Sequence, residues 1–89
     1  MTNKSLQDVR EEIDKIDAEL LKLLNQRMKA SLKISKLKKD SGKEVFDPER
    51  EDKLIKRLLE LNKSTVIPDD QLLEIWAKVL EVSREMQGQ

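Results

Sequence analysis

Arg27 stands where an apolar residue is expected. Positions 6, 9, 13, 16, 20, 23, 27, 30, 34 and 37 advance by alternating steps of three and four, and they read Leu, Val, Ile, Ile, Leu, Leu, Arg, Ala, Ile and Leu. That is a helix seam with a guanidinium set into it. An unpaired guanidinium inside a helix bundle is costly, so Arg27 either carries its charge to water along its stem or meets an anion. Arg10, Asp17, Leu24, Ser31 and Lys38 run beside the seam at seven-residue steps, so Arg10 and Lys38 border one surface from opposite ends. Taken singly, these flank residues read as solvated. Further along, Glu51 precedes Leu54, Ile55 and Leu58 by three, four and seven residues, which puts a carboxylate on an apolar face with Arg50 beside it. A third stripe, Leu72, Trp76, Val79 and Leu80, continues at Ser83 and Gln87. A wet helix end explains that last pair equally well on its own. The interruption nevertheless recurs in every apolar face, and packing the faces together could gather Arg27, Lys38, Glu51, Ser83 and Gln87 around one cavity.

Composition limits what such a cavity can do. The chain has no cysteine and no histidine, which excludes disulfides, thiolate nucleophiles, the usual zinc sites and imidazole acid-base catalysis. Chemistry is left to Arg, Lys, Asp, Glu, Ser and Gln, and no metal or cofactor is expected. Eighteen basic and eighteen acidic residues cancel, which argues against nucleic acid as the main partner. Residues 20 to 39 hold seven Lys and Arg and no acid, while Asp8, Glu11, Glu12, Asp14 and Asp17 lie near the start of the same segment. The helix dipole and a solvated face account for most of this gradient. Only the seam-side cations call for a ligand. No stretch reaches the ~20 apolar residues of a membrane span, and Met1 to Lys4 lack the apolar core of a signal peptide, so the expected location is the cytoplasm with no membrane partner.

The elements that must carry these residues are helices. Two glycines, two prolines, one phenylalanine, one tryptophan and no tyrosine would starve a sheet, and 89 residues suit one domain covering 1–89. The spacing predicts helices over about 6–39, 48–62 and 69–87, an all-α fold. Asp40, Ser41 and Gly42 should stop the first helix, and Lys43 to Phe46 should connect to Asp47 and Pro48, an N-cap and first-turn pair. Lys63, Ser64 and Thr65 link to the third helix at Pro68 and Asp69. A helix roughly 50 Å long, at ~1.5 Å per residue, cannot bury its stripe against two helices of half that length. An intertwined homodimer with long helices side by side is the expected architecture.

The pattern LQDVREEIDKIDAELLKLLNQRMKASLKISKLK, followed by FDPERED and EVSREMQ, resembles the all-helical class of chorismate mutase over nearly the whole chain. The resemblance implies an entwined homodimer with two active sites, in which Arg27 and Lys38 bind substrate from one subunit and Arg10 reaches in from the other. By the same resemblance Asp47, Arg50 and Glu51 frame the ring hydroxyl and its surroundings, and Ser83 and Gln87 close the pocket. The implied reaction, chorismate to prephenate on the phenylalanine and tyrosine branch, is an intramolecular rearrangement needing no nucleophile, metal or proton transfer. Other enzymes of that pathway are implied as possible partners, including for feedback control. Two competing readings are isochorismate pyruvate lyase on the same fold and a non-catalytic helical dimerisation module. Asp47 and Glu51 favour the mutase over the lyase, and the polar interruptions disfavour the module, whose surface would gain from apolar residues there.

Overall fold

The structure is a computed structural model that describes residues 5–41, 47–63 and 66–88. Three helices follow one another: α1 (Leu6–Ser41), α2 (Pro48–Leu61) and α3 (Asp69–Met86). Ser5 starts α1 by a reciprocal cap, its Oγ accepting from the Asp8 N–H at 3.1 Å while its own N–H donates to Asp8 Oδ2 at 3.2 Å. Asp47 caps α2 as its type and the following Pro48 suggest, with extended backbone and Oδ1 accepting from the Arg50 N–H at 3.2 Å. Pro68 precedes α3 without a side-chain cap. Asn62 steadies that turn instead, its Nδ2 donating to the Ile67 carbonyl at 2.9 Å and to Asp69 Oδ1 at 2.8 Å.

Three boundaries differ from expectation. Helix α2 ends at Leu61, with Asn62 as its C-cap. Helix α1 includes Asp40 and Ser41, because carbonyls in a last turn have no intrahelical partner to lose and polar residues can stay helical there. Helix α3 ends at Met86, with Gln87 as its C-cap. Gly88 then takes φ +87°, a left-handed conformation suited to glycine, and its N–H donates to the Glu85 carbonyl at 3.1 Å. The expected stop at Gly42, the connection Lys43 to Phe46, and Ser64 and Thr65 of the second link lie outside the described residues.

Helix α3 packs along α1. Leu72 and Leu80 are the buried apolar side chains among the described residues, and the seam between the helices is completed by buried serines: Ser31 and Ser35 from α1 and Ser83 from α3. Small hydroxyl side chains let the two backbones approach while satisfying one another. The opposite result holds for the apolar stripe of α1. Leu20, Leu23 and Leu37 keep 52%, 56% and 68% of their surface exposed in the single chain, and Val9, Ile13, Ile16 and Ile34 are exposed with them. No helix among the described residues is long and apolar enough to cross a membrane.

Candidate active site

A cavity of about 270 Å³ lies where the C-terminal half of α1 meets the start of α2 and the end of α3. Each helix contributes at a point that its own local chemistry fixes. The Asp47 cap and Pro48 set the first turn of α2, which places Asp47, Arg50 and Glu51 on the cavity wall with Leu54 one turn on. The glycine-sealed end of α3 places Ser83, Arg84 and Gln87 there, backed by Leu80. Uninterrupted α1 brings Arg27, Ala30, Ser31, Ile34 and Lys38 to the same space at steps of three and four.

Seven of the eight residues singled out in the sequence therefore line one cavity: Arg27, Lys38, Asp47, Arg50, Glu51, Ser83 and Gln87. Arg10 does not. It stands exposed on α1, seventeen positions before Arg27 and so about 25 Å away along the helix at ~1.5 Å per residue.

The charge balance of the wall is lopsided. Among the described residues four cations, Arg27, Lys38, Arg50 and Arg84, share it with two carboxylates, Asp47 and Glu51. One of those carboxylates is already engaged: Arg84 Nη1 donates to Glu51 Oε1 and Oε2, each at 2.9 Å, with both side chains partly shielded from water. Among the described residues, by contrast, the guanidinium groups of Arg27 and Arg50 make no hydrogen bond or ion pair. Burial lowers the pKa of Arg27 below its ordinary value, the like charge of Arg50 lowers it further, and Glu51 partly opposes both. A half-buried guanidinium held next to another cation, with no partner among the described residues, is suited to binding an anion.

Neutral hydrogen-bonding groups complete the wall. Ser31 Oγ and Ser83 Oγ lie 2.6 Å apart, Gln87 Nε2 donates to Ser83 Oγ at 3.3 Å, and Ser35 Oγ donates to the Gln87 backbone carbonyl at 3.3 Å. Three residues at or behind the wall were not singled out in the sequence: Ser31, Ser35 and Arg84. Ser31 and Ser35 sit four and eight residues after Arg27, on its face of the helix, and that spacing was the available signal. Arg84 follows Ser83 directly and stands four residues after buried Leu80, so a cation beside an apolar stripe was equally visible there.

Cations arranged for a small anion, amide and hydroxyl donors held in place, and walls drawn from all three helices make a binding and orienting site. Comparison with known proteins points the same way. Residues 9–88 match the family model described as chorismate mutase type II. The bifunctional chorismate mutase/prephenate dehydratase of Aquifex aeolicus is 35% identical over 80 residues, which cover 86% of this chain and 22% of that protein. The chorismate mutase of Methanocaldococcus jannaschii is 28% identical over 86 residues, covering 97% of this chain and 87% of that one. The solved structure of chorismate mutase (form II) from Thermus thermophilus superposes with a TM-score of 0.87, at 23% identity and 97% coverage of both chains, and so has the same fold. This chain spans about a fifth of the length of the bifunctional relatives it matches. With the family model running from the first turn of α1 to the glycine that seals α3, the chain belongs to the type II chorismate mutase family.

Proposed function

We propose that residues 1–89 form one mutase domain that rearranges chorismate to prephenate in a homodimer with shared active sites. The observation that carries this reading is a pair of guanidiniums without a partner among the described residues, Arg27 and Arg50, facing a cavity whose described lining has an excess of positive charge. Chorismate is a dicarboxylate whose reaction is internal: the ether C–O bond breaks as a C–C bond forms between the enolpyruvyl side chain and the ring, and no atom enters or leaves. Catalysis then consists of holding the reactive conformer and stabilising charge that appears only in the transition state.

Arg27, with Arg10 of the second subunit, grips the substrate carboxylates and folds the side chain over the ring. Lys38 and Gln87 donate to the ether oxygen, which gains negative charge as its bond to the ring breaks. Glu51, held by Arg84, accepts from the ring hydroxyl, and Asp47 and Arg50 frame it. Ser83 closes the pocket from α3. Support for the dimer comes from the exposed stripe of α1 and from the distance of Arg10 to the cavity of its own chain. A second copy laid along α1 covers the first and remedies the second. The cytoplasm, where an aromatic pathway would operate, is the matching location.

The test is to mix the purified protein with chorismate and, separately, with isochorismate, follow the ultraviolet absorbance and identify the product. Prephenate in stoichiometric yield supports the proposal. Pyruvate plus hydroxybenzoate from isochorismate supports a lyase instead, and no turnover of either supports a non-catalytic module.

A further inference from the structure

Ser31 is buried, with 4% of its surface exposed, and nothing in the rearrangement requires it to touch substrate. Its hydrogen bonds nevertheless decide how Gln87 is presented. Ser31 Oγ donates to the Arg27 backbone carbonyl at 3.2 Å, and a carbonyl can only accept, so making this bond and the Ser83 contact together commits the single hydroxyl proton of Ser31 to the carbonyl. The contact of 2.6 Å between Ser31 Oγ and Ser83 Oγ needs a proton too, and only Ser83 has one left. With its own proton directed at Ser31, Ser83 Oγ has only lone pairs to offer its third neighbour. The Gln87 side chain 3.3 Å away must therefore turn its NH₂ end, and not its carbonyl, toward Ser83.

We infer that Ser31 is a positioning residue for Gln87: a one-way chain of hydrogen bonds, from Gln87 through Ser83 and Ser31 to the Arg27 carbonyl, fixes which end of the Gln87 amide is which. The inference rests on the reading of Gln87 as a donor to the breaking ether bond. In the fixed orientation the nitrogen keeps a second N–H for that oxygen. In the flipped orientation a carbonyl oxygen would face the developing negative charge and repel it. Ser35 supports the same end by donating to the Gln87 backbone carbonyl at 3.3 Å, so two serines of α1 pin a residue that would otherwise be a fraying helix cap.

Ser31→Ala leaves Ser83 without its acceptor and free to donate to the Gln87 carbonyl, so the amide can turn over. The expected result in the full chain is a kcat about ten- to a hundredfold lower with KM nearly unchanged. In a Gln87→Ala background the same substitution should cost nothing further, because there is no amide left to orient. Ser31→Cys keeps the size of the side chain but replaces the oxygen with a poor acceptor, and should behave as Ser31→Ala does. A readout independent of turnover is the ¹⁵N-resolved side-chain amide of Gln87, assigned by its loss in Gln87→Ala. Its two protons should be well separated in the unsubstituted protein and move toward the values of the exposed glutamines in Ser31→Ala.

An unchanged amide signal in Ser31→Ala and Ser31→Cys overturns the inference whatever the enzyme does. So does an equal loss of kcat with and without Gln87. If the amide signal moves while the unsubstituted protein fails to turn over chorismate, the hydrogen-bond chain stands and the mutase reading is the part that fails.

Discussion

Replacing Arg27 with methionine should abolish efficient turnover while leaving the ligand-free protein as stable as before, or more so. The Arg27 guanidinium has no hydrogen-bond or ion-pair partner among the described residues, and burial and Arg50 both disfavour its charge while Glu51 only partly compensates. A base whose pKa is lowered on folding binds fewer protons folded than unfolded only between its two pKa values, and a guanidinium in a protein is not deprotonated near neutrality. At assay pH it is charged in both states, so the penalty is fully present. Methionine keeps the apolar stem and removes the penalty. Because much of the guanidinium still reaches water, screening limits the gain to about 0–1 kcal/mol. That is a rise in Tm of up to about 6 °C for a domain of this size, measured at fixed protein concentration because the proposed dimer would link folding to association. Losing a charge-assisted grip on a substrate carboxylate costs about 2–4 kcal/mol, or roughly 30- to 1000-fold in kcat/KM. Malonate, a simple dicarboxylate, should raise the Tm of the unsubstituted protein and not that of Arg27→Met. A Tm lowered by more than several degrees, together with retained kcat/KM, would show that Arg27 is a structural cation and refute the reasoning.

Lys38 lies in the last turn of α1, where the dipole favours a cation; Lys38→Ala should lower kcat by orders of magnitude with the circular dichroism spectrum intact, and near-normal kcat would remove its role. Lys38→Arg should rescue poorly, since a planar fork does not replace a point charge. Gln87→Glu donates to the ether oxygen only when protonated, so from a reference pKa of ~4.3 its kcat should fall near neutrality and recover in acid, whereas a pH profile parallel to that of the unsubstituted protein would place Gln87 outside the site. Arg84→Met strips Glu51 of two bonds of 2.9 Å; for a pair about a third exposed, the loss should be about 1 kcal/mol, or roughly 4–8 °C in Tm, accompanied by a raised KM. Unchanged Tm and KM would show the ion pair to be idle.

Local pattern was enough to reveal the helices, the Asp47–Pro48 start of α2 and most of the residues around the cavity, because Arg27, Glu51, Ser83 and Gln87 each interrupt a periodic stripe. Arg10 was not legible in that way: beside the seam it reads as a solvated flank residue, and only the family resemblance assigns it to a site. The serines were harder. Ser31 reads locally as a solvated flank residue, and its burial arises only when α3 settles so that Ser83, 52 residues later, meets it at 2.6 Å. The Arg84 pair with Glu51, 33 residues apart, likewise depends on how the end of α3 meets the start of α2. Helical period gives a face and not the axial register between two faces, and register decides which small polar groups touch.

The most direct test of a chorismate-rearranging site built from two chains is to mix Arg10→Ala and Arg27→Ala chains, each nearly inactive alone, and measure prephenate formation after subunit exchange. Random pairing makes about half of the dimers mixed, and each mixed dimer has one site with both arginines intact, so activity should return to about a quarter of the unsubstituted value. No recovery from chains shown to have exchanged, or full activity in a monomer at assay concentration, would contradict it.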